Sequence, residues 1–164
     1  MPSYDEGKTE VCSWIRERFD KNSTILDVGA CDGKWRMMLT EYQNMDAVEI
    51  FPANAAQITP IYRSTFCEDI KGFEYIFYDL IIFGDVIEHM SVENAKSVLE
   101  YASKRCRDMI VAVPFLYPQD ALYGNPWEKH IQDDLTPEVF AERYPGFSVI
   151  YQTRNYAYYH KEGT

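Results

Sequence analysis

The chain has 164 residues, which is long enough for a hydrophobic core, and we expect residues 1–164 to form a single domain. Apolar residues make up 46% of the sequence and charged residues 26%, as in ordinary globular proteins, and no apolar stretch reaches the roughly 18 residues of a membrane span. The formal net charge of −10 argues against a nucleic-acid partner, because such binding needs a basic surface.

The first predicted element is a helix over residues 5–20, which leads into a strand, a glycine bend and a second helix. Four apolar residues predict the buried face of the first helix: Val11, Trp14, Ile15 and Phe19. Residues 25–28 (Ile-Leu-Asp-Val) predict a buried strand, and Gly29 and Gly33 predict a tight bend that a ligand can approach closely. The second helix has its apolar face at Trp35, Met38, Leu39 and Tyr42. Strand, glycine bend and helix in this order are typical of a nucleotide cradle.

Two acids follow the bend at intervals of twenty residues. Residues 46–50 predict a short strand that carries Glu49 near its end, where an acid beside the bend can accept both hydrogen bonds of a ribose diol. A weaker strand is predicted around residues 64–67, and Asp69 follows it. A carboxylate at that position could accept a hydrogen bond from an amino group such as that of adenine.

The clearest buried strand covers residues 78–83 and runs into Gly-Asp-Val-Ile-Glu-His at residues 84–89. Ser91 predicts the N-terminal cap of a helix, because its hydroxyl can accept a hydrogen bond from a free amide of the first turn. Residues 109–113 predict the next buried strand, which Pro114 ends.

A long connection over residues 114–134 shows no clear period, and connections of this length in a compact domain usually serve a function. Thr136 and Pro137 predict the start of a last short helix. Two closing strands are predicted over residues 147–151 and 155–160.

Four motifs along the chain resemble those of the class I S-adenosylmethionine-dependent methyltransferases. That family opens with an acid and a glycine-rich bend, and residues 27–33 (Asp-Val-Gly-Ala-Cys-Asp-Gly) match it except that Cys31 replaces the usual middle glycine. The family's ribose acid corresponds to Glu49, and its adenine acid corresponds to Asp69. Residues 85–89 (Asp-Val-Ile-Glu-His) match its fourth motif in full.

The resemblance implies a Rossmann-like α/β fold, a three-layer sandwich around a seven-stranded, mostly parallel sheet of order 3-2-1-4-5-7-6 with strand 7 antiparallel. It implies S-adenosyl-L-methionine (SAM) as the methyl donor. The residues implied at this cofactor are Asp27, Gly29, Ala30, Gly33, Glu49, Ile50, Asp69, Ile70, Gly84, Asp85 and Val86. Asp27 either orders the bend or reaches the methionine ammonium group, and the two isoleucines flank the adenine.

The acceptor side has no comparable signature. The SAM methyl group is already electrophilic, so the main task of such an enzyme is to align the reactants and exclude water. His89 either is a general base or packs beside its loop, and His130 either is a base in a lid over the acceptor or lies on the surface. Tyr117, Tyr123 and Trp127 either line the acceptor pocket or anchor the connection.

We therefore expect a cytoplasmic methyltransferase that transfers a methyl group to an oxygen or nitrogen atom of a small molecule. The four cysteines, at positions 12, 31, 67 and 106, show no paired spacing, so free thiols are expected and a metal site is not. Two alternatives remain open. One is a non-catalytic domain that binds SAM as a sensor or scaffold, and the other is an NAD-dependent oxidoreductase, whose fingerprint needs a glycine where this chain has Lys34.

Overall fold

Seven strands form one sheet in the computed structural model, which describes residues 5–122 and 124–164. In chain order the strands are β1 (Ile25–Val28), β2 (Met45–Val48), β3 (Ser64–Phe66), β4 (Tyr78–Gly84), β5 (Cys106–Pro114), β6 (Ser148–Gln152) and β7 (Tyr156–Glu162). Their order across the sheet is β3-β2-β1-β4-β5-β7-β6. The first five strands are parallel, whereas β7 is antiparallel to β5 and β6. This order and the antiparallel β7 confirm the sheet that the resemblance implies.

Helices cover both faces of the sheet and complete the three layers. They are α1 (Lys8–Arg18), α2 (Lys34–Met38), α3 (Pro52–Ile58), α4 (Val92–Ser103) and α5 (Pro137–Arg143), with single 3₁₀ turns at Ile70–Gly72, Ile87–His89 and Pro126–Glu128. One core joins α1, α2 and α3 to Leu80 and Ile82 of β4, and the other joins α4 and α5 to Ile81 and Phe83 of the same strand. The alternation follows because neighbouring strand residues point to opposite faces.

Two helices are shorter than the sequence predicts. α1 begins at Lys8 rather than at residue 5, and α2 ends at Met38. Arg16 of α1 donates a hydrogen bond to the Met38 carbonyl oxygen at 2.7 Å, so a side chain satisfies an acceptor that a longer helix would have used. Leu39 and Tyr42 lie beyond the end of α2 but are buried in the same core as that helix. The apolar pattern therefore predicted the buried residues correctly but predicted too long a helix.

The carboxyl ends of β1 to β4 meet at one edge of the sheet. Val28 is in register with both Val48 and Phe83, and Val48 is in register with Phe66. The loops that follow these strands therefore leave the sheet side by side. Within the described residues, no helix combines the length and the apolar character needed to cross a membrane.

Candidate functional site

A cavity opens at this edge, between the loops that follow the first four strands. Its wall contains most of the residues implied at the cofactor: Gly29, Ala30, Glu49, Ile50, Asp69, Ile70, Gly84, Asp85 and Val86. The candidate bases His89 and His130 line the same cavity. Asp27 and Gly33 lie outside its wall.

The bend after β1 depends on a glycine at its first position. Gly29 has a φ angle of +68°, and a Cβ atom there would lie 2.6 Å from Cγ2 of Val86, which is too close for any side chain. Cys31 also has a positive φ, +48°, so the residue that replaces the family's middle glycine keeps a left-handed backbone. The departure at Cys31 therefore preserves the course of the bend.

Gly33 differs from its predicted role, because it shapes the bend from behind instead of facing the cavity. It precedes α2 with a φ angle of +78°, and an added Cβ atom would lie 2.5 Å from Cδ1 of Ile61. Because Gly33 has no side chain, the side chain of Ile61 can pack against the bend.

Asp27 is also behind the bend, because its side chain turns into the protein interior. It is 1% exposed, and its Oδ2 atom accepts a hydrogen bond from the Tyr62 hydroxyl. Burial raises the pKa of Asp27 to about 7, although the Tyr62 hydrogen bond and the charge of Lys8 oppose the rise. Of the two roles expected for Asp27, this contact supports the ordering of the bend.

Glu49 connects the end of β2 to the bend. The side chain is almost fully buried, its Oε2 atom accepts a hydrogen bond from the Cys31 amide at 2.9 Å, and its Oε1 atom accepts one from the Phe51 amide at 2.8 Å. Burial raises the pKa of Glu49, while these two amide hydrogen bonds act in the opposite direction. A carboxylate has about four acceptor positions, so these two hydrogen bonds do not exhaust them.

Asp69 follows β3 and faces the cavity from a more exposed position. Its Oδ1 atom accepts a hydrogen bond from the Lys71 amide at 3.0 Å, and its Oδ2 atom is 3.1 Å from the Lys71 ammonium group. Ile50 and Ile70 line the cavity beside the two acids. The structure thus brings Glu49 and Asp69 to one cavity, next to the bend at Gly29.

The turn after β4 supplies a third acid. Asp85 has a φ angle of +57°, and its Oδ1 atom accepts a hydrogen bond from the Tyr156 hydroxyl of β7. Its Oδ2 atom is buried without a hydrogen-bond partner in the part of the chain that the structure describes. Burial raises the pKa of Asp85, and the charge of Lys8 partly offsets this effect. Gly84 allows close packing here, since an added Cβ atom would lie 2.6 Å from Nε1 of Trp35.

The two candidate bases are neighbours in space. The ring centroids of His89 and His130 lie 4.7 Å apart, with the rings nearly perpendicular. Nδ1 of His89 is 3.2 Å from the Lys129 carbonyl oxygen, and Nδ1 of His130 is 2.7 Å from the Tyr117 carbonyl oxygen. Burial lowers the pKa of both histidines, and each therefore favours the neutral form.

Glu88 is a residue of this site that the sequence did not single out. Its side chain is fully buried, it lines the cavity, and neither carboxylate oxygen has a hydrogen-bond partner within residues 5–122 and 124–164. Burial raises the pKa of Glu88 well above its usual value. The signal in the sequence was its position directly before His89, in the motif that follows β4.

The long connection between β5 and α5 forms the outer wall of the cavity. Tyr117 and Trp127 line it, as the sequence allowed, whereas Tyr123 lies outside the described residues. The amides of Ile131 and Gln132 donate hydrogen bonds to the Glu88 carbonyl oxygen at 2.7 and 3.0 Å. These bonds fasten the connection to the turn after β4.

No family model matches the sequence, and neither does any curated protein. Solved structures do match. Magnesium protoporphyrin IX methyltransferase from Synechocystis, solved with bound SAM, is 15% identical, with a TM-score of 0.65 over 96% of this chain and 79% of that chain. The 1,6-didemethyltoxoflavin-N1-methyltransferase from Burkholderia thailandensis, solved with S-adenosylhomocysteine and 1,6-didemethyltoxoflavin, is 13% identical, with a TM-score of 0.72 over 98% of this chain and 79% of that chain.

A third structure, of a SAM-dependent methyltransferase from Clostridium acetobutylicum, is 11% identical, with a TM-score of 0.73 over 98% of this chain and 92% of that chain. At these identities the likeness is one of fold. It covers 96–98% of this chain.

Proposed function

We propose that this chain, which has the fold of the class I SAM-dependent methyltransferases, is itself such an enzyme and transfers a methyl group to an oxygen or nitrogen atom of a small molecule. One observation carries the proposal: the bend at Gly29 and the acids Glu49, Asp69 and Asp85 all line one cavity at the carboxyl edge of the sheet. Residues 1–164 act as one SAM-binding domain in this proposal.

The cavity wall offers a complementary group to each part of SAM. Glu49 would accept hydrogen bonds from the ribose diol, Asp69 would accept one from the adenine amino group, and Ile50 and Ile70 would cover the adenine. The backbone at Gly29 and Ala30 would lie against the cofactor, with Asp27 and Gly33 holding the bend from behind.

The turn after β4 would face the methionine end of the cofactor. Gly84 and Val86 would supply backbone surface there, and Asp85 would present to the ammonium group its Oδ2 atom, which has no hydrogen-bond partner among the described residues. SAM supplies an electrophilic methyl group on a sulfonium centre. The chain's own task is then to orient the acceptor and keep water away.

A small-molecule acceptor is supported by the outer wall of the cavity and by the solved neighbours. Tyr117, Trp127 and the two histidines supply aromatic surface beside the cofactor side of the cavity. Two neighbours are named for methylation of a protoporphyrin and of a toxoflavin precursor, which are both small ring compounds. The strongly acidic chain disfavours a nucleic-acid acceptor.

The histidines are the candidate catalytic groups in this proposal. Each directs Nδ1 to a backbone carbonyl oxygen, and a carbonyl oxygen accepts only, so Nδ1 carries the proton and Nε2 keeps a lone pair. That lone pair could take the proton from the methyl acceptor directly, or it could bind a metal ion. A cytoplasmic location is also proposed, and the four free cysteines support it.

Isothermal titration calorimetry with S-adenosylhomocysteine tests the cofactor assignment. We expect micromolar binding, and no heat at millimolar ligand would overturn the proposal. A parallel titration with NADH addresses the oxidoreductase alternative, which requires tight binding of that cofactor instead.

Transfer of a labelled methyl group from SAM to a metabolite extract tests the reaction. Label in small molecules is the expected result. Binding of S-adenosylhomocysteine together with no transferred label, with metal ions present, would favour the sensor or scaffold alternative.

A further inference from the structure

We propose that Glu88, His89 and His130 form a binding site for a divalent first-row transition-metal ion, opening into the cavity beside the SAM cradle. Each of the three residues offers a ligand atom, and these atoms all lie within 4.8 Å of one another. Two imidazole nitrogens and one carboxylate are a donor set that suits Mn²⁺, Fe²⁺ or Zn²⁺. The sequence led us to expect no metal site, because the four cysteines show no paired spacing.

In each histidine one ring nitrogen is hydrogen-bonded to the backbone, which leaves the other as the candidate metal ligand. Both donate from Nδ1 to a backbone carbonyl oxygen, His89 to Lys129 and His130 to Tyr117, so both Nε2 lone pairs are free to bind an ion. Metal-bound histidines in proteins are usually fixed by such a hydrogen bond from the second ring nitrogen.

Glu88 gives an independent indication of a cation. Its side chain is fully buried, it reaches the cavity wall, and both carboxylate oxygens lack a hydrogen-bond partner among the described residues. Burial of a carboxylate without a partner is costly, and a bound cation would remove that cost. Asp85 and Glu128 line the same cavity and add negative charge around the site.

The ligand atoms would have to move closer together to share an ion. Atoms that bind one ion at 2.0–2.2 Å and at tetrahedral angles lie about 3.3–3.6 Å apart, so a pair at the 4.8 Å limit would close by about 1.2–1.5 Å. Glu88 and His89 lie in a single 3₁₀ turn, and the backbone of the His130 segment is bonded to that turn through the Glu88 carbonyl oxygen. These backbone bonds hold the two segments together, so the closure would come from the three side chains.

Three protein ligands leave further coordination positions for water or for an acceptor atom. Because all three side chains line the cavity, an acceptor hydroxyl that enters it could bind the ion as an oxygen ligand beside the cofactor. This part of the inference rests on the proposed function, whereas the metal site itself does not.

The test uses the full chain without a histidine tag, treated with a chelator and then titrated with Mn²⁺, while electron paramagnetic resonance follows loss of the free-ion signal. We expect one Mn²⁺ per chain, and at least tenfold weaker binding in E88Q and in H130N. H160N is the matched control, because His160 is the remaining histidine and pairs with Asp108 away from the cavity. It should bind Mn²⁺ like the unaltered chain.

Circular dichroism and S-adenosylhomocysteine affinity are measured on the same samples. Normal S-adenosylhomocysteine binding without Mn²⁺ binding at millimolar concentration overturns the metal site and leaves the proposed function standing. Unchanged Mn²⁺ affinity in folded H130N also overturns the metal site, even if E88Q does not fold.

Mn²⁺ binding without S-adenosylhomocysteine binding supports the metal site and overturns the proposed function. If methyl transfer is equally fast with Mn²⁺ and with chelator, the proposal that the ion binds the acceptor is overturned.

Discussion

The Glu49 carboxylate accepts a hydrogen bond from the backbone amide of Cys31 at 2.9 Å, and this contact fastens the end of β2 to the bend after β1. The amide of Phe51 binds the other carboxylate oxygen at 2.8 Å. These two bonds do not exhaust the roughly four acceptor positions of a carboxylate. One side chain thus joins the two loops and also lines the cavity.

Glu49→Gln should weaken binding of S-adenosylhomocysteine by about 10- to 100-fold. The glutamine amide nitrogen cannot accept a hydrogen bond, so either a backbone amide or the ribose loses its partner, at a cost of about 1–3 kcal/mol. Calorimetric titration measures the change. Glu93→Gln, which removes the same charge from the exposed side of α4, should leave the affinity unchanged. An affinity of the Glu49 variant within threefold of the original would contradict the assignment.

Gly29→Ala should lower the free energy of unfolding by about 2–4 kcal/mol, because it combines a left-handed backbone with a clash against Val86. Gly124→Ala is the matched control. Gly124 has a similar φ of +73°, but an added Cβ would meet no atom of the described residues within 4 Å, chain neighbours aside, so we expect only the backbone cost of about 1–2 kcal/mol. Urea unfolding of both variants gives the comparison, and equal losses would show that the close approach of Val86 does not matter.

Asp27→Asn should change how stability depends on pH. The pKa of Asp27 is raised to about 7 in the folded chain, while an unfolded aspartate titrates near 3.9. Between these values the folded chain holds a proton that the unfolded chain has lost, so the contribution of Asp27 to stability falls as pH rises from about 4 to 7 and then levels off. Asparagine removes this loss and can still accept the Tyr62 hydrogen bond.

Urea unfolding at pH 6 and pH 8 measures this effect. Relative to the unaltered chain, the Asp27→Asn variant should gain roughly 1 kcal/mol on going to the higher pH. Asp120→Asn, at an exposed position of the connection, should follow the unaltered chain at both pH values. Parallel pH profiles for the Asp27 variant and the unaltered chain would show that this carboxyl group is ionised throughout.

Asp69→Asn should alter which purine the site prefers. If Asp69 accepts a hydrogen bond from the adenine amino group, the unaltered chain should bind S-adenosylhomocysteine at least tenfold more tightly than S-inosylhomocysteine, which carries a carbonyl oxygen there. The asparagine amide can donate to that oxygen, so the ratio should fall by about five- to tenfold. Titration of both ligands gives the ratio, and an unchanged ratio would place the adenine elsewhere.

The strands and the edge at which the cavity lies could be predicted from local patterns, whereas the order of the strands was implied by the family resemblance. Buried apolar runs marked the strands, and parallel strands bring their carboxyl ends to one edge, so Glu49 and Asp69 had to emerge beside Gly29. Such patterns carry less information about the direction in which a side chain points. Asp27 lies next to the bend in sequence, but its side chain turns inward to Tyr62, thirty-five positions later.

The cluster of Glu88, His89 and His130 could not be predicted in the same way. His130 follows His89 by 41 positions, within a connection that has no periodic pattern. Backbone hydrogen bonds from Ile131 and Gln132 to Glu88 bring the segments together, and backbone pairing of this kind leaves no mark on residue type.

The hydrogen bond from Tyr156 to Asp85 links the fourth strand to the seventh, which lies between β5 and β6 although it comes last in the sequence. During translation, β1 to β5 can emerge and pair well before Tyr156 is made. The cradle would therefore be finished only when β7 inserts, so a ligand in the cell could not begin to protect the nascent chain from proteolysis until Tyr156 has been made.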